Sequence, residues 1–302
     1  MQQSKPRLAF IGLGVMGFPM AGHLSQRFEL SVYNRSTDKT ERWQASYRGR
    51  RAESAAAAVA DADIVFCCLG ADEDVEAMLV GEGGILSAMK QGALLCDHTT
   101  TSAELARRMG QAAGKSGVRF VDAPVSGGQK GAEDGVLTVM MGGAEADCES
   151  LYPVLECYAK RARRLGEVGS GQLTKMVNQI CIAGLVQGLA EGIQFAKNAG
   201  LDAAEVVDVI SQGAAQSWQM ENRYKTMIEG KYDFGFAVEW MRKDLNYALA
   251  EARRNHSHLP VTALVDQFYS EVEALGGARW DTSSLLARLE NASRKPSDGN
   301  KA

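Results

Sequence analysis

Three glycines spaced as G-x-G-x-x-G, in Gly12-Leu13-Gly14-Val15-Met16-Gly17, stand directly after the apolar run Leu8-Ala9-Phe10-Ile11 and before a helix-like stretch from Met20 to Leu24. That spacing suits the binding of a dinucleotide pyrophosphate. Gly12 permits a tight turn, Gly14 lets the backbone approach a phosphate with no Cβ in the way, and Gly17 lets helix and strand pack closely. The phosphates then lie at a helix N-terminus, among unpaired N–H groups and the positive end of the helix dipole. A second apolar run, Leu30-Ser31-Val32-Tyr33, ends in Asn34-Arg35-Ser36, where an NAD-specific site often carries a carboxylate for the ribose 2′-hydroxyl. Here Arg35, helped by Asn34 and Ser36, suits a 2′-phosphate in charge and shape. The pattern points to NADP and leaves NAD open, because an Arg35 that only stacks on adenine would set no preference.

The elements that must position such a turn are legible as far as about residue 165. Short apolar runs alternate there with helix-like stretches, the pattern of a parallel sheet covered on both faces. Strands are expected at Leu8 to Ile11, Leu30 to Tyr33, Ile64 to Leu69, Ala93 to Asp97, Arg119 to Ala123 and Thr138 to Met141. Thr101-Ser102-Ala103-Glu104 reads as a capping box opening a helix. Gly166, Gly169 and Gly171 then interrupt the chain, and an Ala-rich region with few strand signals follows. The expected fold is α/β, with a doubly wound Rossmann NAD(P)-binding domain over 1–168 and an all-helical substrate and oligomerisation domain over 169–302. Within the second, Gln172 to Ala199 is dense enough in apolar residues for a helix buried on most sides, with Asn198-Ala199-Gly200 as its C-cap. Residues after about Asn291 are polar, and a frayed tail is expected there.

Bulk properties narrow the function classes. A chain of 302 residues and 32.5 kDa exceeds one ordinary core, so two domains are the natural division. A net charge of -4 and a pI near 5.7 supply no positive field, so nucleic acid is not expected as a partner. The basic clusters Arg48 to Arg51 and Lys160 to Arg164 read as solvated surface. Six scattered cysteines read as reduced core thiols. The sequence shows no signal-peptide profile and no apolar run that reads as bilayer-spanning, so no membrane partner and a cytoplasmic location are expected.

Four ordered motifs carry a family resemblance: Gly12 to Gly17, Asp122-Ala123-Pro124-Val125-Ser126-Gly127-Gly128, Gly171-Gln172-Leu173-Thr174-Lys175-Met176-Val177-Asn178-Gln179, and Lys243-Asp244-Leu245. Together, over about residues 7 to 290, they resemble the β-hydroxyacid dehydrogenases, which include 3-hydroxyisobutyrate dehydrogenase, tartronate semialdehyde reductase and succinic semialdehyde reductase. The resemblance implies that Ser126, Gly127 and Gly128 bind a substrate carboxylate, where small residues let backbone N–H groups approach an anion. It implies that Lys175 is the catalytic lysine, that Lys243 lies near cofactor and substrate with Asp244 to fix it, and that Thr100 touches the nicotinamide side of the cofactor. Leu69-Gly70 stands where the family often has Leu-Pro, which implies a more mobile loop beside the cofactor. Trp218 and Phe236 are expected as pocket walls.

Helical periodicity adds to this, because Lys175, Asn178 and Gln179 at i, i+3 and i+4 share one face. Their neighbours Met176, Val177, Ile180, Cys181 and Ile182 are apolar, and desolvation at a domain interface disfavours an ammonium, which brings proton transfer within reach of neutral pH. The implied reaction is hydride transfer between a carbinol carbon and the nicotinamide ring, with Lys175 exchanging the hydroxyl proton and the two amides orienting it and the substrate oxygen. Gln at 179, where many members have Asn, is similar to the tartronate semialdehyde reductases and leaves open which amide touches substrate. The partner is a small carboxylate-bearing hydroxy acid or semialdehyde: 3-hydroxyisobutyrate, glycerate, 4-hydroxybutyrate and serine-like acids all qualify. A homodimer or homotetramer through the helical domain is implied.

Four other readings compete with this one. Metal-dependent oxidation needs ligand spacing that His23, His98, His256 and His258 do not supply. Imine reductases share the fold but usually replace the lysine, and decarboxylating 6-phosphogluconate dehydrogenases have a much longer C-terminal domain. A non-catalytic NADP-binding sensor or scaffold needs no lysine flanked by two amides, so Lys175 discriminates against it.

Overall fold

The computed structural model describes residues 5–293. Among the described residues nine strands form one sheet: β1 (Leu8–Ile11), β2 (Leu30–Tyr33), β3 (Arg50–Arg51), β4 (Ile64–Cys67), β5 (Leu94–Asp97), β6 (Arg119–Asp122), β7 (Val125–Ser126), β8 (Leu137–Gly142) and β9 (Ala159–Gly166). Their order is β3-β2-β1-β4-β5-β6-β8-β7, with β9 also paired to β8. From β3 to β6 every pairing is parallel, in registers such as Phe10 opposite Val32 and Phe66. The chain leaves β1 toward β2 on one side and returns at β4 on the other, so the crevice of a doubly wound sheet opens beyond the carboxyl ends of β1 and β4.

Alternation along the strands explains the two buried faces, because successive side chains point to opposite sides. Phe10, Ile64, Phe66, Leu94 and Cys96 pack into one cluster with Trp43 and Tyr158, while Ala9, Ile11, Val65, Cys67 and Leu95 pack into the other with Met109 and Phe120. Fully burying a side chain such as Phe10 or Ile11 contributes ~1.5–3 kcal/mol. Such runs, apolar at every position, are what a sheet covered on both faces requires.

The structure corrects several sequence expectations. β3, β7 and β9 were not anticipated, and the far edge is mixed, since β8 runs antiparallel to β6 and β7. The two basic clusters are extended and mostly exposed: Arg50 and Arg51 form β3, and Lys160 to Arg164 lie in β9, where Arg164 is half-buried and donates to Gly143 O. Charge on edge strands discourages pairing with another sheet. The helix after β5 is Ala103–Lys115 with Ser102 rather than Thr101 as its N-cap, the Ser102 hydroxyl accepting from Leu105 N. Of the cysteines, Cys67, Cys96 and Cys148 are buried, but Cys181 is exposed.

The chain divides into two compact units, Met1–Lys175 and Met176–Ala302. The helix Ser170–Asn198 runs through this division, and it ends where Gly200 takes a left-handed φ of +75°. Leu201 N then bonds back to Ala196 O, satisfying a terminal carbonyl. In the second unit Ala183, Val186, Leu189, Ala190, Ile193 and Ala196 form one side of the core, packed with residues of the helices Ala203–Ile210, Trp218–Ile228, Val238–Asn255 and Pro260–Ala274. The expectation of burial on most sides is corrected: Val177, Leu185 and Phe195 on the same helix are exposed. By length and composition this helix is apolar enough to cross a membrane, contrary to the sequence reading, although its inward face is a protein core. The last described helix, Leu285–Ser293, continues past Asn291, and the rest of the expected tail, from 294, lies outside the described residues.

Candidate active site

Each glycine of the turn after β1 has a distinct steric reason. Gly12 has φ +97°, and a Cβ there would stand 2.2 Å from Cys68 O; at Gly17 it would stand 2.0 Å from Gly12 O. At Gly14 a Cβ would meet nothing within 4 Å, so the peptide faces open space that a side chain would fill. Leu13 N donates to Asn34 Oδ1 at 2.9 Å, which fixes the turn to the end of β2. Asn34 is therefore committed to the protein, and its Nδ2 also donates to Ser36 O. Arg35 is 90% exposed, with Asp74 at 3.9 Å as its only ion pair among the described residues, so the guanidinium is available to a phosphate. Val15 and Ser36 are exposed, and Leu13 and Gly17 are buried. These residues fit a dinucleotide: an open peptide at a helix start, with a cation beyond the second strand.

The loop after β5 closes this side. Thr99 Oγ1 accepts from Leu69 N at 2.9 Å, an anchor that the expectation of a mobile Leu69-Gly70 loop did not foresee. Thr99 N donates to Asp97 Oδ1 at 3.0 Å. Burial pushes the Asp97 carboxyl up to about 7, with the Thr99 hydrogen bonds opposing the rise. Thr100 follows, half-buried. His98 is a core residue, with Nδ1 donating to Ala123 O at 2.6 Å and Nε2 accepting from Tyr158 Oη at 2.7 Å. Burial lowers it to about 4, so it stays neutral.

After β6, Ser126 is half-buried, and Gly127 and Gly128 are exposed with φ of +132° and +62°. That conformation explains the two glycines and leaves their backbone accessible. Asp122, at the end of β6, is wholly buried and accepts from Gly169 N at 2.7 Å and Gln172 N at 2.9 Å. It therefore caps the start of the long helix. Gln172 is likewise buried, its Nε2 donating to Thr99 O at 2.7 Å and its Oε1 accepting from Thr101 N at 3.0 Å. In the sequence Asp122 and Gln172 stand only as members of their motifs. The one signal for them was the glycine at 171, where a Cβ would lie 2.6 Å from Asp122 O and 2.8 Å from Asp122 Oδ2.

Lys175 follows Gln172 by three residues on the same helix and is only 8% exposed. Asn178 is half-buried, and Gln179 is 2% exposed. Gln179 Oε1 accepts from Asn178 Nδ2 at 2.8 Å, while its Nε2 donates to Asp244 Oδ2 at 2.7 Å. Its amide is thus spent on protein partners, and Asn178 is the more outward of the two. Lys243 Nζ lies 3.4 Å from Asp244 Oδ1, between the rings of Trp240 and Tyr247 at 5.4 and 5.6 Å. The pair belongs to one helix, and Asp244 also holds Gln179. Phe236 is half-buried and anchored through its N to Asp281 Oδ2 at 3.0 Å. Trp218 is 49% exposed, with Arg223 stacked 4.8 Å from its ring centre.

A mainly parallel, doubly wound sheet with a glycine turn at its switch point is the fold of a dinucleotide-binding protein. The description "NAD binding domain of 6-phosphogluconate dehydrogenase" matches residues 7–171, and "NAD-binding of NADP-dependent 3-hydroxyisobutyrate dehydrogenase" matches 169–289. An "uncharacterized oxidoreductase" of Shewanella frigidimarina is 61% identical over 287 residues, covering 95% of this chain and 99% of that one. The 2-hydroxy-3-oxopropionate reductase of Escherichia coli is 33% identical, covering 94% and 97%. Among solved structures, Mycobacterium tuberculosis 3-hydroxyisobutyrate dehydrogenase with L-serine superposes with a TM-score of 0.84 at 28% identity, covering 94% and 99%. The chain belongs to the β-hydroxyacid dehydrogenase family and is an NAD(P)-dependent hydroxyacid dehydrogenase.

Proposed function

We propose that the protein interconverts a small 3-hydroxy acid and its semialdehyde, preferring NADP, with Lys175 as general acid and base. The observation that carries this reading is the near-complete burial of Lys175 on a helix whose next turn presents Asn178, held by Gln179. The cofactor supplies or accepts the hydride. In reduction Lys175 donates a proton to the carbonyl oxygen as that oxygen becomes a hydroxyl, and in oxidation it removes it. Asn178 orients the substrate oxygen, and Gln179 orients Asn178. Ser126 and the open backbone of Gly127 and Gly128 hold the carboxylate. Lys243, pinned by Asp244, adds positive charge for cofactor and substrate, and Trp218 and Phe236 wall the pocket. Exposed Arg35 favours the 2′-phosphate of NADP.

The 2-hydroxy-3-oxopropionate reductase relative and the Gln at 179 favour that semialdehyde among the substrates. Exposed Val177, Leu185 and Phe195 support a homodimer or homotetramer formed through the helical unit. The test is loss of reduced-nicotinamide absorbance with 2-hydroxy-3-oxopropionate, succinic semialdehyde and methylmalonate semialdehyde, using NADPH and NADH. Wild type should turn over at least one, and Lys175→Ala should lose that activity while binding cofactor. Cofactor binding without turnover by wild type would favour a sensor or scaffold instead.

A further inference from the structure

The start of the long helix is fastened more tightly than helix formation needs. An N-cap requires one acceptor for the first free N–H groups, and the Asp122 carboxylate provides it through Gly169 N and Gln172 N. Gln172 does something else. Its two amide atoms reach Thr99 O and Thr101 N, the peptide groups on either side of Thr100. Thr99 in turn holds Leu69 N, so the Gln172 and Thr99 side chains together link the helix to both loops that flank the cofactor crevice. A methionine or leucine would fill the same volume, and Gln172 is wholly buried, so neither packing nor solubility calls for an amide here. Close approach is enforced as well: a Cβ at Gly142 would stand 2.5 Å from Asp122 Oδ1, and one at Gly171 would stand 2.8 Å from Asp122 Oδ2. Lys175 lies three residues beyond Gln172, on the adjacent turn of the same side of the helix.

We infer that Gln172 is a positioning residue for the reaction, bracketing Thr100 and thereby setting the spacing between the loop at the nicotinamide side and the proton-transferring Lys175. This rests on the reading of Lys175 as acid and base. Two pinned peptide groups and a shared helix turn remove the freedom of that loop to drift from the lysine. A hydride step is steep in distance, so a small loosening slows chemistry without changing how tightly either reactant binds.

The experiment compares wild type, Gln172→Met, Gln172→Glu and Lys175→Ala with the best semialdehyde of the panel. Four quantities are read: kcat, KM, the NADPH dissociation constant from fluorescence titration without substrate, and the isotope effect with NADPH deuterated at the transferred position. Amide hydrogen exchange over residues 98–102 is followed in parallel. Gln172→Met is expected to exchange faster at 98–102 and to lose at least tenfold in kcat, with KM and the dissociation constant within about threefold and an enlarged isotope effect. Gln172→Glu, assayed at a pH where its carboxyl is ionised, keeps the acceptor for Thr101 N but loses the donor to Thr99 O, so its kcat should fall below that of wild type. Unchanged kcat and isotope effect in either folded variant overturns the inference. If Gln172→Met does not fold, Gln172→Glu decides on the same criteria, and wild-type exchange at 98–102 in it also overturns the inference. An active Lys175→Ala overturns the acid-base reading itself, whereas an inactive Lys175→Ala beside a fully active Gln172→Met overturns only the role of Gln172.

Discussion

Adding one methyl group at Gly14 separates cofactor binding from folding. An alanine Cβ there meets no protein atom within 4 Å, and Gly14 is not among the glycines with positive φ, so the folded chain accepts it without strain. Gly→Ala at a compatible position stabilises by ~0.4–1 kcal/mol by restricting the unfolded chain. Thermal unfolding of Gly14→Ala should thus occur at or slightly above the wild-type temperature. The same methyl occupies the space through which a pyrophosphate oxygen approaches the backbone. Losing one hydrogen bond to a charged group costs about 1.5–3 kcal/mol, equivalent to roughly a 10- to 150-fold weaker dissociation constant. Gly12→Ala is the contrast, because its Cβ would stand 2.2 Å from a backbone oxygen at φ +97°, and it should unfold several degrees lower. The assays are scanning calorimetry without ligand and NADPH titration by fluorescence. An equally stable Gly14→Ala that binds NADPH within threefold of wild type would refute the placement of the phosphates.

Three further perturbations test other parts of the site. Gln179→Leu takes a hydrogen bond from buried Asp244 and the anchor from Asn178, so it should destabilise by about 1–3 kcal/mol in urea melts and lower kcat more than it raises KM; unchanged kcat would remove Gln179 from the machinery. Arg35→Ala should weaken NADPH at least tenfold while leaving NADH within twofold, and equal losses for both cofactors would assign Arg35 to adenine stacking. Burial raises Asp97 to about 7, above its unfolded value, so the cost of its charge is absent below about pH 4, grows as pH rises, and is complete above about pH 7, on the order of 4 kcal/mol. Asp97→Asn should therefore show a flatter rise in stability as pH falls from 7 to 4.5, and slopes equal to wild type would contradict the raised value.

Local features are legible in the residue types. The turn at Gly12 to Gly17 is legible because backbone angles and forbidden Cβ positions are written in residue type, and the strands Leu8–Ile11 and Ile64–Cys67 because a doubly covered sheet needs unbroken apolar runs. The long helix and its stop at Gly200 follow from composition and one left-handed glycine. The short strands β3 and β7 and the basic strand β9 had no such signal, since two residues make no period and exposed charge reads as surface whether the chain is extended or not. The identity of the N-cap is likewise not written in residue type, because Thr101 and Ser102 both carry a suitable hydroxyl and only the helix start selects between them. Tertiary structure alone decided the roles of the buried polar groups. Asp122 meets Gly169 from 47 residues away, Gln172 meets Thr99 from 73, and Gln179 meets Asp244 from 65. A side-chain amide or carboxylate carries its hydrogen-bonding capacity in the sequence, but which donor faces it in a dry interior depends on strand order and helix packing.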